Sequence, residues 1–234
     1  MRIRQFVLSL LAVVALGGCQ PAQAPDAAFG AKVRAYLLEH PEVLEEATIK
    51  LQEKRVAAAI ERVRPVLERD PRDFVANPNG KITVVEFFDY QCGHCINIAP
   101  AVLEIIKNNP DVRFVFKEMP IFGETSEAAA RAAIAVKEAG GNGVGLYQGY
   151  MTTRPLTTEA ITRLAVANGA SAARLADPAF VAGANAQILE VHSLAGALGI
   201  EGTPAFVVGD TLIPGEDLEA LKAAIERARG RVAR

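Results

Sequence analysis

The sequence predicts an α/β domain with a helical insertion, preceded by a short helical segment. An apolar, β-rich run at residues 81–88 leads into a stretch whose apolar residues recur at helical spacing, and a second β-rich run follows at residues 112–118. An Ala-rich, helical tract at about residues 124–198, interrupted by turn signals, separates these elements from a hairpin pattern at residues 205–213. The last amphipathic helix begins after Asp217, which is placed to cap it.

The composition excludes several classes of protein. Half of the residues are hydrophobic, so the chain can bury a sizeable core and is not a disordered protein. The 25 Lys and Arg residues against 27 Asp and Glu residues give a net charge of −2, without the basic field that a nucleic-acid-binding protein needs. The three cysteines are too few for a disulfide-stapled scaffold or a structural zinc site. We therefore expect no metal site and no cofactor.

The amino terminus has the features of a signal peptide over residues 1–18. A basic start precedes an apolar stretch that is too short to span a bilayer. The sequence Leu-Gly-Gly-Cys at residues 16–19 resembles the bacterial lipobox, which makes Cys19 a predicted lipidation site, followed by a linker over residues 19–28. Cleavage after Ala24 would instead give an unlipidated product. Either route exports the protein to an oxidising compartment, the periplasm.

Residues 29–70 form a predicted helical segment separate from the domain at residues 71–234. Pro41 is expected to open its second helix, since proline is accepted in the first turn. Apolar residues recur there at seam-like spacing, namely Leu44, Leu51, Val56, Ile60 and Val63. Short helices cannot bury an apolar stripe alone. The segment is thus expected to pack either on its own domain or on copies from other subunits, with a stalk as a further alternative.

The clearest chemical feature is Cys92-Gly93-His94-Cys95, between the first strand and the following helix. Cys92 is predicted at the helix amino terminus, where the helix dipole and free N–H groups stabilise a thiolate and lower its pKa from about 8.5. Cys92 is therefore the expected nucleophile. His94 can stabilise this thiolate further, and Cys95, one helical turn on, suits the resolving role. A lone pair of cysteines would also fit half of a metal site.

Two other features strengthen the catalytic interpretation. Glu86 interrupts an apolar strand, where a carboxylate is costly unless it is used; buried, it would have a raised pKa and could accept the proton of Cys95. A strand residue facing solvent is the alternative. Thr203-Pro204 precedes an apolar strand and is a candidate cis peptide bond. This loop could lie against the two thiols and bind a substrate strand.

Together these motifs resemble the DsbA-type thiol-disulfide oxidoreductases. The resemblance covers residues 71–234 and rests on two motifs. In EFFDYQCGHC, Glu86 occupies the position of the family's buried acid, and in GTPAFVVG, Pro204 occupies the position of the family's cis-proline. It implies a thioredoxin fold with a helical insertion at about residues 124–198. It also implies a redox-active disulfide between Cys92 and Cys95, and substrate binding through Thr203 and Pro204.

The amino-terminal sequence GAKVRAYLLEHPEVLEEA resembles the ScsC-like and Com1-like members of this family, in which such a segment mediates oligomerisation. We therefore expect a homo-oligomeric isomerase or reductase of exported proteins, kept reduced by a DsbD-like membrane partner. One alternative is a DsbA-like oxidase kept oxidised by a DsbB-like partner, because Gly93 leaves the direction of transfer open. A Cu(I)-binding module is another, since two thiolates suit that ion.

Overall fold

The computed structural model describes residues 26–232. The predicted signal peptide and the predicted lipidation site, Cys19, lie outside these residues. The chain divides into two compact units, one ending at Thr48 and the other beginning at Ile49. Within residues 26–232, no helix combines the length and the apolar character needed to cross a membrane.

The amino-terminal segment consists of two helices, α1 (Ala27–Glu39) and α2 (Glu42–Arg69). Helix α2 begins directly after Pro41, as predicted. The boundary between the compact units falls inside α2, whereas the sequence placed a boundary near residue 70. The reason is that the carboxyl half of α2 belongs to the core: Ile60 and Leu67 are fully buried among residues of the sheet.

A mixed sheet of five strands, in the order β1-β3-β2-β4-β5, forms the centre of the larger unit. The strands are β1 (Phe74–Ala76), β2 (Ile82–Phe88), β3 (Val112–Glu118), β4 (Ala205–Val208) and β5 (Thr211–Pro214). Strands β2 and β3 are parallel, and the other pairs are antiparallel. The two predicted strands and the predicted hairpin are confirmed. Strand β1 was not predicted, because three residues are too few to show an alternating pattern.

The remaining elements are helices. Helix α3 (Gly93–Asn108) joins β2 to β3, and α9 (Leu218–Val232) ends the described chain. The tract between β3 and β4 folds into α4 (Glu124–Glu138), α5 (Gly143–Thr152), α6 (Thr158–Ala167), α7 (Ala172–Leu175) and α8 (Pro178–Ala197). Helices α5 to α8 each begin after a side chain that accepts a hydrogen bond from a backbone N–H of the first turn, those of Asn142, Thr157, Ser171 and Asp177.

The two faces of the sheet bury different partners, because successive strand residues point in opposite directions. We call one the Glu86 face; its residues Val84, Phe88 and Phe116 share a core with α3 and most of the insertion. We call the other the Lys117 face. Its core includes Val85, Phe87 and Val115 and is covered by the carboxyl halves of α2 and α8.

Candidate active site

Cys92 is the N-cap of α3, at the carboxyl end of the central strand β2. A turn closed by the Cys92 N–H, which donates to the Asp89 carbonyl oxygen at 3.1 Å, carries the chain from strand to helix. The first N–H groups of a helix have no intrahelical acceptor, so they are directed toward this sulfur. Cys92 and Cys95 are both free cysteines in the structure.

Hydrogen bonding lowers the pKa of Cys92 from its ordinary value of 9.0 to about 5. The largest cause is a hydrogen bond from the Cys95 side chain, with further contributions from the Thr203 side chain and from the backbone N–H groups of Cys95 and His94. Burial opposes these donors, because it penalises the charged form. Cys92 is consequently a thiolate at neutral pH.

Cys95 has the opposite character. It is completely buried, and burial raises the pKa of its thiol far above the ordinary range; the hydrogen bond to Cys92 and the nearby Glu86 raise it further. Cys95 therefore holds its proton while Cys92 reacts. To attack a disulfide it must first transfer that proton to a base.

Glu86 is the acid whose charge acts on Cys95, and it is the candidate for that base. Its register partners are Phe116 on β3 and Phe206 on β4, so it occupies the middle of the sheet, and its side chain is fully buried. Burial raises the pKa of Glu86 from 4.5 to about 8, while a hydrogen bond from Tyr147 opposes the rise. The Tyr147 hydroxyl lies 3.3 Å and 3.4 Å from the two carboxyl oxygens. A carboxyl group with this pKa can gain and lose a proton near neutral pH.

The Thr203-Pro204 peptide bond is cis. The Cys92 Sγ lies 3.1 Å from the Thr203 carbonyl oxygen, to which it donates a hydrogen bond when it is protonated. The buried Thr203 hydroxyl has no hydrogen-bond partner within the described part of the chain, and it lowers the pKa of Cys92 because it can donate to the thiolate. The Gly215 N–H donates to the Pro204 carbonyl at 2.8 Å, which ties this loop to the end of β5.

His94 and Gly93 lie at the rim of the site. The His94 imidazole is exposed and pairs through Nδ1 with Glu216 at 3.1 Å, which raises the pKa of His94. Its backbone N–H lowers the pKa of Cys92, and the charge of Cys92 in turn raises the pKa of the His94 ring. Gly93 is the first residue of α3, and a Cβ added there would contact nothing within 4 Å. A side chain at this position would therefore fit without a clash.

Asp89 organises the turn before Cys92. Its buried carboxylate accepts hydrogen bonds from the Ser126 hydroxyl and from three backbone N–H groups, those of Gln91, Ile121 and Phe122. These bonds hold the active-site turn against the loop that follows β3.

The partners of the buried groups were not predicted from the sequence. Asp89 lies inside the recognised motif but was assigned no role, and Tyr147 lies in the helical tract, where no sequence pattern links it to Glu86. Of the predicted site residues, the structure brings together Cys92, Cys95, Glu86 and Thr203.

Residues 26–232 contain no cluster of three or more Cys, His, Asp or Glu residues placed to hold a metal ion.

Two family models match the chain. The model of the DSBA-like thioredoxin domain matches residues 83–226, which is more than half of the sequence. The model of the copper resistance protein ScsC N-terminal domain matches residues 26–58.

Solved structures resemble the chain over most of its length. Proteus mirabilis ScsC in a transitional conformation is 28% identical, with a TM-score of 0.67, and the match covers 88% of this chain and 99% of that one. A thioredoxin-like oxidoreductase from Silicibacter pomeroyi DSS-3 is 36% identical, with a TM-score of 0.62 and coverage of 71% and 98%. A periplasmic thioredoxin-like protein from Salmonella enterica serovar Typhimurium is 28% identical, with a TM-score of 0.61 and coverage of 71% and 95%.

Two curated relatives match only a segment. The Na(+)/H(+) antiporters NhaA 3 of Salinispora tropica and NhaA 1 of Salinispora arenicola are 37% and 34% identical to 30% and 27% of this chain. The matches span only 12% and 11% of the lengths of those proteins.

Proposed function

The chain belongs to the family of DSBA-like thioredoxin domains and is a thiol-disulfide oxidoreductase, and we propose that it acts as an isomerase or reductase of protein disulfides in the periplasm. The compartment is inferred from the similarity to ScsC and to a periplasmic thioredoxin-like protein.

The proposed reaction begins at Cys92. Its thiolate attacks a client disulfide and forms a mixed disulfide, while one client sulfur leaves as a thiolate. Glu86 then takes the proton of Cys95, and the Cys95 thiolate attacks the Cys92 sulfur. The second client sulfur leaves, so the client is reduced and the Cys92–Cys95 pair is oxidised. In isomerisation, a client thiol attacks the mixed disulfide first, and the enzyme remains reduced. The Thr203-Pro204 loop beside Cys92 would position the client strand.

The exposed apolar surface of the amino-terminal segment is the single observation that favours the isomerase or reductase. Helix α1 buries no residue, and large apolar side chains on this segment are half or more exposed, namely Phe29, Tyr36, Leu38 and Leu44. A second copy of the chain would cover such a surface. An oligomer would present two or more sites to one misfolded client and would hinder an oxidising membrane partner.

This proposal is tested by changing the exposed surface while leaving the core intact. Deleting residues 29–69 would also remove Ile60 and Leu67, which are buried against the sheet. The better variant is Leu38→Glu, with Leu189→Glu on α8 as its matched control, because these leucines are 67% and 66% exposed.

We expect Leu38→Glu to lower the mass by light scattering and to weaken isomerisation of scrambled ribonuclease more than oxidation of reduced ribonuclease. Leu189→Glu should leave all three unchanged. A monomeric native chain, or an oligomer in which Leu38→Glu leaves isomerisation unaffected, would contradict the proposal.

The second candidate is a protein disulfide oxidase, and the pKa of Cys92 favours it. A thiolate that is stable down to about pH 5 stabilises the reduced enzyme and makes its disulfide a strong oxidant. The two candidate functions require different redox states of the Cys92–Cys95 pair in the cell. Trapping the thiols with a maleimide in intact cells distinguishes them: a mainly reduced Cys92–Cys95 pair indicates a DsbD-like partner, and a mainly oxidised pair indicates a DsbB-like partner.

Lipidation of Cys19 is part of the proposal and has its own test. A Cys19→Ala variant should move the protein from the membrane fraction to the soluble periplasmic fraction. An unlipidated protein would already be soluble, and the substitution would change nothing.

A further inference from the structure

Glu118 is a second acid on the Glu86 face, largely but not completely buried, and the reaction proposed above leaves it without a role. Strand register pairs Glu86 with Phe116 and Phe88 with Glu118, so both carboxyl groups project from the same face of neighbouring parallel strands. Glu118 accepts a hydrogen bond from the Tyr90 hydroxyl at 2.9 Å. A buried acid without a positively charged hydrogen-bond partner costs free energy, and such groups concentrate at functional sites.

The two acids differ in their access to solvent. Glu86 is completely buried, whereas Glu118 is partly exposed and lines a cavity of about 20 Å³, enough for a water molecule. Charged residues also line this cavity, namely Arg72, Asp73 and Lys137. Glu118 therefore has what Glu86 lacks, contact with a cavity that is partly lined by charged groups and has room for a water molecule.

Each acid is hydrogen-bonded to a tyrosine, and the two tyrosines are neighbours. Tyr147 donates to Glu86, and Tyr90 donates to Glu118. The rings of these tyrosines lie 6.3 Å apart, centroid to centroid. Phenolic hydroxyl groups donate and accept hydrogen bonds, so each can pass a proton. The acid and hydroxyl groups thus form two hydrogen-bonded pairs side by side, one enclosed and one at the cavity.

We propose that Glu118 is the outer acid of a two-carboxyl proton route, through which Glu86 exchanges protons with solvent between reaction steps. The inference rests on the proposed function, because it assumes that Glu86 takes the proton of Cys95. The proton moves from the Cys95 thiol to the Glu86 carboxylate, then to Glu118 through the tyrosine hydroxyls, and then to water in the cavity. One S–S bond forms, one breaks, and one proton leaves the protein. Glu118 acts through Glu86 and is therefore a positioning residue.

The charges around Glu118 explain why it would pass a proton on. Burial is the largest cause that raises its pKa; the Tyr90 hydrogen bond lowers it, and three other acids raise it, those of Asp89, Glu86 and Asp73. Two neighbouring buried carboxyl groups resist carrying two negative charges at once. A proton that arrives at one of them therefore favours ionisation of the other.

The test is the resolving step by itself. The full chain is prepared with glutathione on Cys92, and release of glutathione by Cys95 is followed by stopped flow from pH 5 to pH 9, in water and in deuterium oxide. The variant is Glu118→Gln, which keeps the acceptor for Tyr90 but cannot ionise. The control is Glu124→Gln, which removes the same charge from an exposed position at the start of α4.

We expect Glu118→Gln to slow release by about tenfold to a hundredfold near neutral pH and to introduce a solvent isotope effect that the native chain lacks. Glu124→Gln should match the native chain. A Glu118→Gln rate equal to the native rate at every pH overturns the inference. So does uniform slowing without an isotope effect, because that indicates a structural role.

Two further outcomes can be distinguished from a failure of the proton route. If the native chain itself releases no glutathione, the proposed function fails, whatever Glu118 does. If Glu118→Gln does not fold, Tyr90→Phe tests the same route, since it removes the hydroxyl and keeps the ring and the acid. Tyr90→Phe should also slow release and introduce the isotope effect, and a native rate for it overturns the inference.

Discussion

The two faces of the sheet handle buried charge in opposite ways, and adjacent residues of β3 show it. On one face, the Lys117 ammonium group donates to the Asp73 carboxylate at 2.5 Å and to the Val66 carbonyl at 2.8 Å. On the other face, Glu118 and Glu86 accept hydrogen bonds from tyrosine hydroxyls, and no cation binds either of them within residues 26–232. The first arrangement balances its charge, and the second does not.

The two faces therefore have different roles, one in stability and the other in proton exchange. Burial raises the pKa of Asp73 from 3.8 to about 6 and Lys117 opposes this rise, so the Asp73 carboxyl group is ionised at neutral pH. By binding the Val66 carbonyl, Lys117 also fixes the carboxyl end of α2 on the sheet. Arg113 on the same strand does the same through the Glu68 carbonyl at 2.7 Å. An unbalanced buried acid is held near its point of ionisation, as the pKa of about 8 for Glu86 shows. We expect the Lys117 face to govern stability and the Glu86 face to govern the pH dependence of exchange.

The largest expected effect is on stability, from Lys117→Met. Removing one partner of a fully buried pair leaves the Asp73 carboxylate uncompensated, and we expect a loss of about 3–5 kcal/mol in the free energy of unfolding. Urea denaturation at pH 7 measures it. The double variant Lys117→Met/Asp73→Asn should recover a large part of this loss. If the single variant unfolds like the native chain, the pair does not hold the Lys117 face together.

The next effect concerns Glu86→Gln and has a defined pH window. The pKa of Glu86 rises on folding from 4.5 to about 8, so the folded state keeps a proton that the unfolded state loses. The stability of the native chain therefore falls as pH rises from about 4.5 to about 8, by an amount on the order of 5 kcal/mol, and changes no further from this group above that range.

Glu86→Gln should be more stable than the native chain at pH 8 and nearly equal to it at pH 4.5. Denaturation at both pH values measures this. The same variant should slow the resolving step, since the base for Cys95 is missing. Equal stability of the two chains at pH 8 would contradict the assigned pKa of Glu86.

A smaller effect is expected on the pKa of Cys92. The Cys95 side chain is the largest cause of the low pKa of Cys92, so Cys95→Ala should raise this pKa from about 5 toward 9. The ultraviolet absorbance of the thiolate, titrated in native and variant chains, gives both values. An unchanged midpoint would assign the thiolate to the helix amino terminus and Thr203 instead.

The smallest effect is expected at Gly93. Its Cβ position is open and its backbone is helical, so Gly93→Ala should change stability by less than about 1 kcal/mol, in the stabilising direction. Thermal unfolding of the reduced chain measures it. A marked loss of stability would show that this position requires glycine for a reason other than space.

Much of the catalytic half was predictable because its signals are local. The strand before Cys92, the helix after it and the hairpin after Pro204 follow from patterns within a few residues. The placement of Glu86 followed from a single incongruous carboxylate in an apolar run. Strand β1 was too short to be seen, and the division of α2 between two compact units could not be read from its continuous helical pattern.

By itself, the sequence determined which groups can react: two cysteines at a helix start, an acid in a strand, and a threonine and proline in a loop. Only the tertiary structure decided which groups surround them. Tyr147 lies 61 residues from Glu86, and the Thr203 carbonyl oxygen that Cys92 contacts lies 111 residues from it in sequence. A pKa depends on burial and on neighbours in space, and neither is encoded by spacing along the chain.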